Sequence, residues 1–239
     1  MSNKLLLLRL SACLLPVLAA APATAAELGG GFSLTGDVTV VSDYRFRGIS
    51  LSDEDPAVQA GLTLEHGSGF YFGIWGSSLD DTPTYGEIEL NFFAGWTGEI
   101  AANTTVDVGL LYYYYPDGDS AFGNSDFFEP YASITHDFGP VAGTVGVNYA
   151  WSQSATGNGD NIYIYTDWSA PIPNTPVSLN AHLGYSDGSL SPTGSYLDWS
   201  LGASVEVGPA TLGLAYVDTD LGGGPGVDSA VVLSLSLGF

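Results

Sequence analysis

Apolar and polar residues alternate with a period of two along most of this chain, and short clusters rich in Gly, Pro, Asp, Asn and Ser interrupt the alternation. Twelve segments result, near residues 31–47, 57–66, 70–78, 86–98, 103–115, 127–138, 141–152, 161–169, 177–186, 196–207, 210–218 and 228–239. A period of two predicts strands whose two faces meet different surroundings. Most segments reach the length of about 9–11 residues with which a tilted strand crosses a bilayer. The last run, from Val231 to Phe239, keeps the alternation up to its closing aromatic residue. Taken singly, such a run also fits an edge strand of a soluble sandwich, so the distribution of charge has to separate the two.

In the first segment Phe32, Leu34, Val38, Val40, Tyr44 and Phe46 share one face, and Asp37, Asp43, Arg45 and Arg47 share the other. In the fourth, Ile88, Leu90, Phe92, Ala94 and Trp96 oppose Glu87, Glu89 and Asn91; in the fifth, Val106, Val108, Leu110, Tyr112 and Tyr114 oppose Asp107. The same separation is read for Glu65, Glu129, Asp137, Asp167, Asp198, Glu206 and Asp228, which leaves the apolar rows free of Asp, Glu, Lys and Arg. A sandwich has no need of charge-free rows along its whole length, whereas a lipid-facing Lys or Arg costs about 2–4 kcal/mol at the midplane.

Connections agree with the faces. Those after even-numbered segments are mostly tight, as at Gly67-Ser68-Gly69, Phe138-Gly139-Pro140 and Val207-Gly208-Pro209, while those after odd-numbered segments are mostly longer and acidic. This is the pattern of short periplasmic turns and longer outer loops. Aromatics gather at both heights: Phe46, Tyr112, Tyr114, Tyr149, Trp151, Tyr185 and Tyr216 toward the outer ends, and Trp96, Phe138, Trp168 and Phe239 toward the inner. Two such girdles suit the two interfaces of a bilayer. The prediction is an all-β chain forming a single transmembrane antiparallel β-barrel of about twelve strands in the bacterial outer membrane, an even number that brings both ends to the periplasmic side.

The first residues supply an address. Lys4 and Arg9 flank a leucine run that continues through Leu14, Leu15, Val17 and Leu18, and Ala23-Thr24-Ala25 fits the A-x-A cleavage pattern. Residues 1–25 are therefore expected to be a secretory signal peptide and residues 26–239 the barrel domain. Leu10-Ser11-Ala12-Cys13 resembles a lipobox, but the apolar run before Cys13 is short and broken by Arg9, so the cleaved signal is the reading kept. Cleavage would remove Lys4, Arg9 and Cys13, leaving two arginines against 26 acidic residues, a formal charge of −24. Nucleic acid is then an unsuitable partner on electrostatic grounds, and neither a disulfide framework nor a thiolate metal site remains. The expected partners are outer-membrane lipid and lipopolysaccharide, small solutes, and the barrel-assembly machinery, for which the closing Phe239 is of the type that serves as an assembly signal.

The candidate chemistry lies on the inward face. Asp43, Arg45, Arg47, Glu87, Glu89, Asp107, Glu129 and His182 are the candidate pore-lining residues, with Arg45 and Arg47 expected to pair with acids such as Glu87, Glu89, Asp107 or Glu129. Two readings of these charges stand: a constriction that sorts permeants, or a polar plug that stiffens a narrow barrel. Inward Tyr71, Trp75, Phe93, Tyr113, Tyr115, Tyr131, Tyr163 and Tyr165 could stack on sugar or nucleoside rings, although filling space is their commoner use. Acidic runs such as Asp53-Glu54-Asp55, Asp80-Asp81 and Asp117-Gly118-Asp119 supply oxygen donors for divalent ions but lack the spacing of an EF-hand loop, so no metal or cofactor is assigned. A lipase-type site needs Ser and His together near the outer rim. His136 falls on the lipid side, His66 at a tight turn, and only His182 points inward, with no Ser motif around it, so no enzyme is expected.

The segment from Val41 to Ser50, followed by Asp55-Pro56-Ala57-Val58-Gln59-Ala60-Gly61 and by Gly69 to Ser77, resembles the TorF-type porin family of proteobacterial conserved hypothetical proteins. The likeness extends through Glu87-Ile88-Glu89-Leu90 and Tyr112 to Pro116 and spans residues 26–239. It implies an outer-membrane location and a pore, and an Arg47-Gly48 turn motif; it carries no substrate. The expected function is a narrow, cation-leaning channel for passive diffusion of small solutes. The alternative is a non-conducting surface protein with acidic ion- or ligand-binding loops.

Overall fold

The computed structural model describes residues 25–239; the expected signal peptide falls, but for Ala25, outside the described residues. A short first strand, β1 (Ala26–Gly29), leads into β2 (Phe32–Val41), followed by two two-residue strands, β3 (Arg45–Phe46) and β4 (Ile49–Ser50). The wall continues with β5 (Ala57–His66), β6 (Phe70–Thr82), β7 (Gly86–Ala101), β8 (Thr104–Tyr114), β9 (Phe127–Asp137) and β10 (Ala142–Ala150). It is completed by β11 (Asn161–Pro171), β12 (Val177–Gly188), β13 (Ser195–Val207), β14 (Ala210–Thr219) and β15 (Ala230–Gly238).

Each wall strand pairs antiparallel with the next, and β2 pairs with both β5 and β15, so the sheet closes into a barrel of twelve strands. Closure leaves no free edge, the condition for backbone amides to cross hydrocarbon. At the seam Phe239 exchanges backbone hydrogen bonds of 3.0 and 2.9 Å with Gly36, and β1 pairs with β2 just beyond, with Ala26 opposite Leu34. This extra strand has no counterpart in the period-two reading, because four residues are too short to show a period.

The alternation sorts the side chains as expected. Leu214, Leu201, Val145 and Phe72 are at least half exposed on the outer surface, while Thr211, Asn180, Tyr131 and Glu129 on neighbouring positions point inward and are buried. Tyr149, Trp151, Tyr185 and Tyr216 stand outward near the long-loop end, and Phe138, Trp168 and Phe239 near the tight-turn end. Asp187 and Asp218 correct the expectation of wholly charge-free outer rows: both sit on outward rows, at the extreme long-loop end, where Tyr185 and Tyr216 hydroxyls reach them at 3.2 and 2.8 Å. Position above the girdle keeps these carboxylates in water, which removes the penalty that the midplane would impose.

The inside is filled unevenly. One cluster of Tyr71, Leu111, Tyr113, Tyr115, Phe127 and Tyr131 and another of Val41, Tyr44, Ala57, Ala215, Val217 and Val232 pack within the barrel, chiefly toward the long loops, with Tyr71 joining from beside the tight turn after β5, and Phe46 touches both. Toward the tight turns Asp37, Thr63, Glu65, Thr97, Asp107, Ser133 and Asp167 are all partly exposed. The barrel thus has a packed half and a wet vestibule. Large inward rings fit because glycines lie beneath them: a methyl group on Gly146 would collide with the Tyr165 ring, and one on Gly109 with the Tyr131 hydroxyl.

Candidate functional site

The packed half is built around residues that the alternation assigned to the wall. The segment 31–47 was expected as one strand, but β2 stops at Val41, and the chain turns into the barrel as the β3–β4 hairpin. Ser42 marks the departure: its amide bonds the Leu233 carbonyl at 2.9 Å, and its hydroxyl accepts from the Leu233 amide at 2.9 Å. Tyr44 and Phe46, expected to face lipid, are therefore inside. Tyr44 is fully buried against Trp75 and donates to Glu89 at 3.2 Å, and the Phe46 ring meets Tyr113 edge-on at 5.8 Å.

The turn of the hairpin is Arg47-Gly48, with φ of 50° and 83° between the pairs Arg45 with Ser50 and Phe46 with Ile49. Two consecutive positive φ values are what a two-residue hairpin requires. Gly48 is needed for a second reason, since a Cβ there would collide with Thr219 and lie 2.9 Å from Cβ of Asp198 on β13. The hairpin lies against the inner surface of β14 and β13, two and three strands from β2, and from there the Arg47 side chain reaches across to β9.

Both described arginines are on it. Arg47 places Nη2 2.8 Å from each carboxylate oxygen of Glu129 on β9, and Glu129 also accepts from the Tyr113 hydroxyl at 3.1 Å and the Asn148 amide at 3.0 Å. The guanidinium carbon lies 4.2 Å from the Tyr163 ring centroid and 4.7 Å from that of Phe46. The Arg47 carbonyl accepts from the Tyr196 hydroxyl at 3.1 Å. Arg45 pairs with Asp43 at 2.5 Å, not with any of the four acids expected for it, and donates to the carbonyls of Gly48 and Asp228 at 3.2 and 2.7 Å. It thereby ties the hairpin to the loop between β14 and β15, where the Ser50 amide also bonds the Gly226 carbonyl.

The remaining candidates spread along the lumen. Glu87 is exposed at the long-loop rim. Glu89 is fully buried and accepts from Asn91 at 2.7 Å and from Tyr44, with no ion pair among the described residues. Asp107 accepts from Tyr71 at 2.5 Å, and the Tyr71 hydroxyl is as close to that of Tyr131. His182 bridges Asp167 at 2.6 Å and Asp198 at 3.0 Å, with the Tyr163 hydroxyl 2.8 Å from Nε2. Both ring nitrogens of His182 are taken up by neighbouring carboxylates, a different arrangement from the Ser-directed base of a hydrolase. Tyr163, Asn148 and Tyr196, which charge alone does not join to Arg47, complete its surroundings, and Asp198 joins them through Tyr163; their inward parity is the signal the sequence offers. Among the described residues no group of three or more His, Cys, Asp or Glu side chains is arranged to hold a metal ion.

The model of a bacterial family, Gcw_chp, a bacterial protein of unknown function, matches residues 25–224. The chain belongs to the Gcw_chp family. No curated protein matches the chain. Among solved structures, the KdgM porin in complex with disordered oligogalacturonate is similar at 6% identity with a TM-score of 0.59, over 86% of this chain and 98% of that one. The NanC porin is similar at 10% identity with a TM-score of 0.58, again over 86% and 98%. A Pseudomonas aeruginosa FadL homologue gives 11% and 0.52, over 90% of this chain and 76% of its own. At such identities the likeness is one of fold. This Gcw_chp protein has the fold of the outer-membrane porins, and its exposed apolar belt between aromatic girdles puts the barrel in that membrane. With the tight turns toward the periplasm, the β3–β4 hairpin lies in the outer half and the vestibule opens inward.

Proposed function

We propose that this Gcw_chp protein is a porin-like channel for small solutes, with a cation-leaning lumen and an outer half narrowed by the β3–β4 hairpin. The observation that carries this reading is the charge inventory of the interior. Arg45 and Arg47, the two basic side chains of the described Lys and Arg, are each held by a carboxylate, at 2.5 and 2.8 Å. Asp37, Glu65, Asp107 and Asp167 meanwhile line the water-accessible vestibule. Acidic groups along a low-dielectric conduit concentrate cations and repel anions. Such a lining opposes a polyanion of the kind named with the KdgM porin, so the shared fold serves a different solute here. In this reading Asp43, Arg45, Arg47, Glu87, Glu89, Asp107, Glu129 and His182 are the pore-lining set. The resemblance to TorF-type porins supports the same function, with lipid and lipopolysaccharide around the belt and Phe239 as the signal to the assembly machinery.

Reversal potentials of the refolded chain in planar bilayers under a KCl gradient test it. Step currents with a cation-biased reversal potential are expected; an anion-biased one contradicts the reading. The tight filling of the outer half favours a second reading, a non-conducting surface protein. Absence of current from the wild type and from variants lacking the hairpin contacts would select it.

A further inference from the structure

The surroundings of Arg47 are those of a bound ligand. Glu129 is fully buried and, apart from Arg47, is held by two wall donors, the Tyr113 hydroxyl and the Asn148 amide. The Tyr163 ring, on β11, forms an aromatic face 4.2 Å from the guanidinium carbon. A carboxylate fixed by neutral donors beside an aromatic face is a receptor for a planar cation: the carboxylate supplies charge and direction, and the ring accepts the flat face. All of these wall groups come from β8, β9, β10 and β11, whose mutual pairing is complete without β3 and β4.

The hairpin belongs to no wall ladder: its own has two residue pairs. Its base is tied to the loop between β14 and β15 by the Ser50 amide on Gly226 and by Arg45 on the Asp228 carbonyl, whereas the Arg47 backbone at the tip is held by the Tyr196 hydroxyl on its carbonyl. Withdrawal of the tip breaks no wall ladder.

We propose that the Glu129–Tyr163 pocket is a binding site for guanidinium-type organic cations, that Arg47 fills it as a tethered stand-in, and that a free cation of this class opens the lumen by taking its place. This deepens the channel reading and rests on it for the opening, though the pocket itself does not. It also gives the acidic outer loops and vestibule a solute to gather: a small organic cation of the shape already seated in the wall. Tethering gives Arg47 a high effective concentration, so displacement requires a free cation at elevated concentration, whereas a vacated pocket binds the same cation at lower concentration.

Titration calorimetry on refolded protein in micelles reads the pocket without conduction. Agmatine is the probe, urea the uncharged planar control and butylammonium the non-planar one. Arg47→Ala is expected to bind agmatine saturably, urea not at all and butylammonium more weakly. Adding Glu129→Gln should weaken agmatine by about tenfold or more. Arg47→Ser likewise vacates the pocket and serves if the alanine variant loses the heat-modifiable gel mobility of a folded barrel. In bilayers, agmatine should raise the opening frequency of the wild type. Failure of both Arg47 variants to bind agmatine, or binding indifferent to Glu129→Gln, overturns the proposal. Binding in micelles with silent bilayers leaves the pocket standing and sinks the channel; currents without binding do the reverse.

Discussion

Arg47 lies 2.8 Å from both carboxylate oxygens of Glu129, a contact between residues 82 positions apart that fixes the tip of an inward hairpin to the barrel wall. Neither side chain has meaningful access to solvent. A buried pair of this kind contributes little when compared with an apolar substitute, but removing one partner leaves the other uncompensated at a cost of about 3–5 kcal/mol. Glu129 retains two donors after Arg47 is gone, so Arg47→Ala is expected at the lower end, about 3 kcal/mol. Arg47→Met combined with Glu129→Gln should recover most of that loss. Equilibrium urea unfolding in vesicles, followed by tryptophan fluorescence, measures both; an unchanged midpoint for Arg47→Ala would show that the pair does not hold the hairpin.

Leu214 stands half exposed at the middle of β14 on the outer surface. Leu214→Arg should destabilise the barrel by about 2–4 kcal/mol in vesicles, the midplane cost of a lipid-facing guanidinium. Thr63→Ser, on an inward wet position, should stay within about 0.5 kcal/mol. Equal effects for the two would mean that the faces are assigned wrongly.

Gly146 and Tyr165 form a test of the interior packing. The three atoms nearest to a methyl group placed on Gly146 all belong to the Tyr165 side chain. Gly146→Ala is expected to cost about 1–3 kcal/mol through overpacking. In a Tyr165→Ala background the same substitution should be neutral or favourable, because strand glycine is itself weakly formed. A double-mutant cycle reads the coupling directly, and simple additivity would argue against the ring lying on the glycine.

Selectivity should follow the vestibule and not the rim. Asp107→Asn and Asp167→Asn each remove a charge from the partly enclosed lumen and are expected to move the reversal potential toward zero. Glu87→Gln, exposed to bulk electrolyte, should move it little at 0.15 M salt, where the Debye length is about 8 Å. A larger effect at Glu87 would place the selective region at the mouth.

The wall was almost fully legible in the sequence, because a two-sided strand writes its surroundings into every second residue. Leu214 and Thr211 announce their faces without any knowledge of the partner strand. The hairpin was hidden by the same rule: Tyr44, Arg45, Phe46 and Arg47 continue the alternation of β2 across the point where the chain leaves the wall. Two signals argued otherwise. A segment of residues 31–47 is longer than a bilayer needs, and Arg47-Gly48 between Phe46 and Ile49 has the form of a two-residue turn. Parity and charge put Glu129 among the four acids expected for the arginines, and Arg47 takes it; that it is Glu129 and not Glu87, Glu89 or Asp107, and that Arg45 turns to the neighbouring Asp43, follows from how far the tip reaches, which period and charge do not encode. Asn148, Tyr163 and Tyr196 could be placed inside from parity, yet their convergence around Arg47, on its Glu129 partner, its guanidinium face and its carbonyl respectively, depends on the curvature of the closed sheet.

The separation of the vestibule from the outer mouth by the hairpin is tested most directly by a single cysteine at Asp107, the one thiol after Cys13, in oriented reconstituted protein. A cationic methanethiosulfonate reagent should modify Asp107→Cys quickly from the periplasmic face, slowly from the outer face, and quickly from both once Arg47→Ala is added. Equal rates from the two faces with Arg47 in place would contradict the account.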